Sequence, residues 1–194
     1  MSWRLCARGL PEPMKVDYNT WAARWRVPLG FAFAIVYAVL SQPTLKLLIA
    51  GGALALIGLL LRAFAAGHIE KSQILAESGP FRYVRHPLYL GSFILGLGLM
   101  VAGGSWTLGA VYLGLFAAIY APVMRREEAF LRQKFGPAYD GYARRVPLFF
   151  PLPGRAQAGG KAFEWRRYRA NREYQAALGY LAMMAFLAVK WILR

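Results

Sequence analysis

The sequence predicts an all-α fold, a polytopic membrane helix bundle with about five transmembrane helices. Three observations carry that expectation: five apolar runs, tight Pro- or Gly-containing breaks within two pairs of them, and Lys and Arg gathered in the remaining connections. Of the 194 residues 58% are hydrophobic and 17% are charged, whereas soluble domains sit near 45–50% and about 25%. Mean hydropathy is +0.34. The apolar excess must face something other than water, and a lipid bilayer is the partner it implies. In hydrocarbon every backbone polar group must be satisfied within the segment, which favours helices.

The runs cover residues 27–40, 45–61, 88–102, 106–124 and 174–193. A perpendicular helix needs about 20 residues to cross the hydrocarbon core, so the first and third must borrow length from their flanks. The first could instead form half of a hairpin that does not cross. Trp21 and Trp25 before the first run, and Tyr83 and Tyr89 around the start of the third, are aromatic residues of the kind found at membrane interfaces. Ser41-Gln42-Pro43-Thr44 and Gly103-Gly104-Ser105 end helices and leave room only for antiparallel hairpins. The other connections, 62–87 and 125–173, are long and polar.

Charge sets the expected topology. Five of the 24 Lys and Arg residues precede Val27 and twelve lie between Arg125 and Arg172. Cationic residues are retained on the cytoplasmic side, so the N-terminus and both long loops are expected inside, and the tight turns and the C-terminus outside. An inner, cytoplasmic membrane is the expected location. The formal net charge of +15 does not read as nucleic-acid binding, because long apolar runs separate the charged clusters. Cys6 is the single cysteine, and no Cys/His cluster has zinc-ligand spacing, so no metal is expected.

Four segments follow. Residues 1–26 form a cytosolic N-terminal segment and no signal peptide, since Pro11 and Pro13 stand where an apolar core would be. Residues 27–150 form the membrane core. Residues 151–173 combine a Pro-, Gly- and Ala-rich linker with a basic aromatic stretch, FEWRRYRANR, suited to anionic lipid head groups or to a solvated helix start. Residues 174–194 form a last transmembrane helix. Its small residues Ala176, Gly179, Ala182 and Ala185 suit pairing with a second copy of the chain, or the helix serves as an anchor alone.

Two segments place ionisable residues at membrane borders, where they are costly unless paired or functional. The first is SGPFRYVRHPLYLG, from Ser78 to Gly91. Pro87 forces His86 out of the helical region and starts the third span, so Arg85, His86 and the free N–H groups of that helix converge on one spot suited to an anion. The second is RREEAFLRQKFGPAYDGYARRVP, from Arg125 to Pro147, which continues the fourth span beyond the membrane. Adjacent helical residues point about 100° apart, so at most one of Glu127 and Glu128 is expected to face a given pocket squarely. An anion site beside a carboxylate, with Tyr and Phe nearby, matches a zwitterion with an aromatic base or a sulfonium, and S-adenosylmethionine is such a ligand.

Arg85-His86-Pro87-Leu88-Tyr89-Leu90-Gly91, preceded by LAESGPFRY (75–83) and followed by Glu127-Glu128, Phe135-Gly136, Tyr139, Tyr142 and Arg145-Val146-Pro147, resembles the isoprenylcysteine carboxyl methyltransferases and the related phospholipid methyltransferases. The resemblance covers residues 45–151. It implies an S-adenosylmethionine-dependent membrane methyltransferase with a cytosolic cofactor pocket and a lipophilic acceptor. It places His86 and Tyr89 around the methionine moiety, Glu128 on its ammonium, and Leu75 with the turn from Gly79 to Tyr83 on the adenosine, with Tyr139 nearby. Arg85, His86 and Glu127 are the candidate catalytic residues. A carboxylate acceptor needs no base, whereas an ammonium must first lose a proton to His86, Glu127 or Tyr139.

One position departs from the prenylcysteine enzymes, whose arginine five residues before the second glutamate is Val123 here. That leaves carboxylate, amine and thiol acceptors open. A rival enzyme reading is an NADPH-dependent membrane reductase of the sterol type, with phosphates on Arg85, His86, Arg125, Arg126, Arg144 and Arg145. It gives Glu127 and Glu128 no role. A non-enzymatic membrane scaffold explains the spans and the charge, but not the convergence of motifs.

Overall fold

A computed structural model describes residues 18–69, 75–151 and 162–194, with side chains of the first helix from residue 28 onward. Most of the expected N-terminal segment and linker, residues 1–17 and 152–161, lies outside the described residues, as do the side chains of Trp21 and Trp25. The described residues form seven α-helices: α1 (Tyr18–Leu40), α2 (Leu45–Ala66), α3 (Pro87–Ala102), α4 (Trp106–Phe135), α5 (Pro137–Arg145), α6 (Trp165–Ala170) and α7 (Tyr174–Ile192). A 3-10 turn, Gly79–Arg82, precedes α3.

The five apolar runs are all helical, but their lengths differ from the sequence expectation. α2, α4 and α7 are long and apolar enough to cross a membrane, while Pro28–Leu40 of α1 and Pro87–Ala102 are shorter. α1 begins at Tyr18, so its added length comes from the more polar side. α3 stays at 16 residues, about 24 Å, because Pro87 and Gly103 bound it. Side chains turned outward are apolar, among them Phe31, Ile35, Val39, Ile49, Leu60 and Leu181, as a lipid-facing surface requires.

The hairpin turns are closed by sequence-local caps. Thr44 Oγ1 accepts from Leu47 N–H at 3.4 Å, and Ser105 Oγ accepts from Leu108 N–H at 3.4 Å, each satisfying a free donor of its helix. The two turns also meet, since Gln42 N–H donates to Gly103 O at 2.6 Å. Beneath them Tyr37, 2% exposed, donates its hydroxyl to Leu99 O and packs with Leu48, Met100, Leu108 and Leu187.

α2 and α3 touch backbone to backbone. A Cβ added at Gly98 would lie 2.2 Å from Ala55 N, one at Gly58 2.3 Å from Leu95 N, and one at Gly51 2.2 Å from Ala102 N. Small residues let helices approach this closely where no hydrophobic effect separates helix from lipid. α7 lies against α2, with Tyr180 Oη donating to Gly52 O at 3.1 Å. At its far end Lys190 Nζ donates to Ala38 O at 2.6 Å and Val39 O at 2.8 Å, placing a cation on the last carbonyls of α1. The end of α7 therefore shares the side of the tight turns, and its start shares the side of the long connections. Of the small residues named for pairing, Gly179, Ala182 and Ala185 are exposed and Ala176 is half-buried.

Candidate active site

The local sequence folds the site into place from three directions. Pro87 occupies the first turn of α3 with His86 at its N-cap, so His86 sits at the mouth of the helix. Arg85 N–H donates to Pro147 O at 2.9 Å, and Tyr142 Oη donates to Phe81 O at 2.7 Å, which ties the turn before α3 to α5 and the residues after it. α4 runs unbroken for 30 residues, about 45 Å, and delivers Glu127 and Glu128 to the same level. It stops at Gly136, whose φ of +53° favours glycine, and Pro137 begins α5 at once.

Of the two carboxylates only Glu127 lines the cavity, as the 100° step between adjacent helical residues implies, while Glu128 joins the same cluster from behind. Tyr89 Oη donates to Glu127 Oε2 at 3.0 Å. Glu128 Oε1 accepts from Arg85 Nη1 and from Tyr139 Oη, the latter at 2.9 Å. His86 lies between them, Nδ1 3.9 Å from Glu127 Oε2 and Nε2 3.8 Å from Glu128 Oε1. The imidazole presents a nitrogen at each end, so two helix positions about 100° apart can both address it. Those separations exceed hydrogen-bond length. Nε2 is buried without a hydrogen-bond partner.

Burial of His86, 5% exposed, pushes its pKa below the usual value, against the upward pull of Glu127 and Glu128, while Arg85 adds to the lowering. At neutral pH the ring is therefore uncharged. Tyr139 moves the other way: burial, with its hydrogen bond to Glu128, lifts it to about 12, so it remains a phenol that donates. A histidine whose folded pKa is depressed adds stability that is fully present above its unfolded value of about 6.5, and that is lost as pH falls through the folded value. Thermal unfolding in detergent is expected to show the native chain losing more stability than His86→Gln between pH 7 and pH 5. An identical pH dependence in the two proteins would show His86 carrying no such penalty.

The cluster borders a cavity of about 790 Å³, within the usual range for a small-molecule site. Leu75, Arg85, His86, Tyr89, Glu127 and Tyr139 line it. Away from these groups its wall is largely apolar, with Gly30, Phe31 and Ala34 from α1, Pro87 and Leu88 from α3, and Phe130, Leu131 and Phe135 from α4. Gly79, Tyr83 and Glu128 are not among the lining residues. A Cβ on Gly79 would lie 2.5 Å from the His68 ring, so Gly79 backs onto that side chain. Tyr83 is 48% exposed and turns outward, and Phe81 represents the 3-10 turn in the cavity wall instead. Glu128 sits behind Arg85 and Tyr139. Arg125, Arg126, Arg144 and Arg145 are exposed and outside the cavity.

Sequence reasoning missed Arg62, Ser92, Tyr120, Tyr142 and Glu173, all of which line the cavity. Arg62 and Glu173 form an ion pair between α2 and the residue before α7. Their signal was one lone cation closing an apolar run and one acid opening another. Among the described residues no three His, Cys, Asp or Glu side chains gather as metal ligands.

Residues 47–138 match the phospholipid methyltransferase family. The chain is 34% identical over 153 residues to the cobalt-zinc-cadmium resistance protein CzcN of Cupriavidus metallidurans, covering 77% of this chain and 62% of that protein. It is 45% identical over 84 residues to the nickel-cobalt-cadmium resistance protein NccN of Alcaligenes xylosoxydans xylosoxydans, covering 42% of this chain and 38% of that one. It is 28% identical over 128 residues to the protein-S-isoprenylcysteine O-methyltransferase of Schizosaccharomyces pombe, covering 63% and 54%. The chain thus spans between about two fifths and three fifths of the length of these curated relatives. No solved structure matches it. The region that matches the phospholipid methyltransferase family takes in α3, with Tyr89 in its first turn, the Arg85-His86 pair before it, and the Glu127-Glu128 pair of α4.

Proposed function

We propose that the chain is an S-adenosylmethionine-dependent methyltransferase acting on a lipidic acceptor, with its cofactor end on the cytoplasmic side of the inner membrane. The observation that carries this is one cavity whose ionisable cluster, Arg85, His86, Tyr89, Glu127 and Tyr139, adjoins an apolar wall built from α1, α3 and α4. A methyl donor of amino-acid type needs the cluster, and an acceptor on a lipid tail needs the wall.

The residues fit the cofactor by charge and by donor chemistry. Arg85 against Glu127 and Glu128, with His86 neutral, leaves the cluster with a formal charge of −1. S-adenosylmethionine carries an ammonium, a sulfonium and a carboxylate, one positive charge in sum. Glu127, whose side chain is 41% exposed and borders the cavity, is suited to the ammonium, and Arg85 to the carboxylate. The resemblance puts Glu128 on the ammonium. Its place behind Arg85 and Tyr139 suits it better to holding those two side chains in position. When bound, the cofactor supplies a methyl group on sulfur for in-line displacement, a reaction helped mainly by alignment and exclusion of water. Neutral His86 lines the cavity and can take the proton of an amine or thiol acceptor through Nδ1, the nitrogen on the side of Glu127. A carboxylate acceptor would need none. Val123 is half-buried in α4 and outside the cavity lining, so no arginine from that position reaches an acceptor carboxylate.

Calorimetry of the purified protein with S-adenosylhomocysteine and with NADPH is expected to show binding of the first only. NADPH binding would favour the reductase, whose phosphates meet two carboxylates here, and binding of neither would favour a scaffold. Mass spectrometry of a lipid extract incubated with the protein and methyl-labelled cofactor identifies the acceptor.

A further inference from the structure

α7 lies outside the matched region of the family, yet the residue at its N-cap reaches the cavity. Glu173 is 9% exposed and accepts a two-point contact from Arg62: Nε donates to Oε2 at 3.0 Å and Nη2 to Oε1 at 2.9 Å. A guanidinium held by such a fork has its plane fixed. The third nitrogen then points at α3, where Nη1 donates to Ser92 Oγ and, at 3.5 Å, to Leu88 O. Ser92 Oγ donates to that same Leu88 carbonyl at 2.8 Å.

The first turn of α3 is therefore gripped from two sides. From α4, Glu127 holds Tyr89. From α2 and α7, Arg62 holds Leu88 and Ser92. The stem of Arg62 passes where Gly91 has no side chain, since a Cβ there would lie 2.6 Å from Arg62 Cγ. A charge pair at this depth is expensive unless it has work to do, and a simple clasp between α2 and α7 would not need the contacts to α3.

We propose that Glu173 is a positioning residue of the site, acting through Arg62 to fix the turn of α3 that carries His86 and Tyr89, so that the C-terminal helix is part of the working unit. This rests on the methyltransferase reading for its consequence, though not for its mechanics. Three proteins in detergent test it: the native chain, Glu173→Gln, and the exchanged pair Arg62→Glu with Glu173→Arg. The exchanged pair keeps an ion pair between α2 and α7 but offers no guanidinium at position 62 to Leu88 O and Ser92.

In the absence of ligand, amide hydrogen exchange across residues 90–93 is expected to quicken roughly tenfold in Glu173→Gln, with residues 98–102 unchanged. Affinity for S-adenosylhomocysteine is expected to fall roughly tenfold, about 1.4 kcal/mol. The exchanged pair is expected to regain the native melting temperature but neither the slow exchange nor the affinity. Native exchange at 90–93 in Glu173→Gln, or full recovery of affinity in the exchanged pair, overturns the proposal and leaves a clasp. If the native chain binds no S-adenosylhomocysteine, the methyltransferase reading falls and takes the functional consequence with it, while the exchange data still decide the mechanics.

Discussion

Replacing Glu128 by Gln is expected to weaken S-adenosylhomocysteine binding by about 30-fold or more and to lower the melting temperature as well. The side chain is 16% exposed and its Oε1 is shared by Arg85 and Tyr139. Removing one member of a buried charge pair leaves the other unpaired, at a cost of about 2 kcal/mol or more. Arg85 would then lose the charge that pins it, and both Arg85 and Tyr139 would be left with a neutral, weaker amide acceptor. Glu127→Gln provides the contrast. Its side chain is 41% exposed and carries one hydrogen bond, from Tyr89, so affinity is expected to fall with little change in melting temperature. Calorimetry and thermal unfolding on both variants separate a ligand-facing carboxylate from an organising one. Equal effects from the two substitutions on both measurements would erase the distinction.

The second large effect belongs to the seam between α2 and α3. Gly98→Val places a side chain where even a Cβ would be 2.2 Å from Ala55 N and 2.6 Å from Ala55 Cα, both backbone atoms that cannot swing away. Overpacking of this kind costs about 1–3 kcal/mol or more, which for a chain of this size lowers the melting temperature by roughly 2–12 °C. Because the same two helices carry Arg62 and Tyr89, ligand binding is expected to suffer with it. Gly114→Ala is the matched control: nothing lies within 4 Å of a Cβ there, and replacing a helical glycine by alanine gains about 0.5–1 kcal/mol in favourable cases. A Gly98→Val protein that melts with the native chain would mean that α2 and α3 do not meet as described.

Much of this was legible in the sequence, and the reasons divide cleanly. Runs of apolar residues ended by Pro and Gly report helices directly, and Pro87 alone is enough to put His86 at a helix mouth. The extent of α4 was legible too, because Gly136-Pro137 ends it. Side-chain direction was not. The 100° step correctly leaves one glutamate in the cavity wall, but it does not say which, nor that the other, Glu128, is held by Arg85 and Tyr139. Of the turn from Gly79 to Tyr83, expected on the adenosine through its backbone, only Phe81 stands in the cavity wall, a matter of rotation that spacing does not record. The Arg62–Glu173 pair joins residues 111 positions apart, and no local pattern links them. The α2–α3 seam did leave a trace, small residues at 51, 55 and 58 facing others at 91, 98 and 102, a spacing of close helix approach.

The shortness of α3 has a consequence for how a lipid meets the cluster. A helix of about 24 Å in hydrocarbon about 30 Å thick is mismatched by about 6 Å, and a bilayer answers such a deficit by thinning around the shorter element. Thinning of that kind would lower the leaflet next to His86 and bring head groups toward the imidazole. For the lipidic acceptor proposed above, the dimple offers entry by sliding sideways, with the tails still immersed, rather than by being lifted into water.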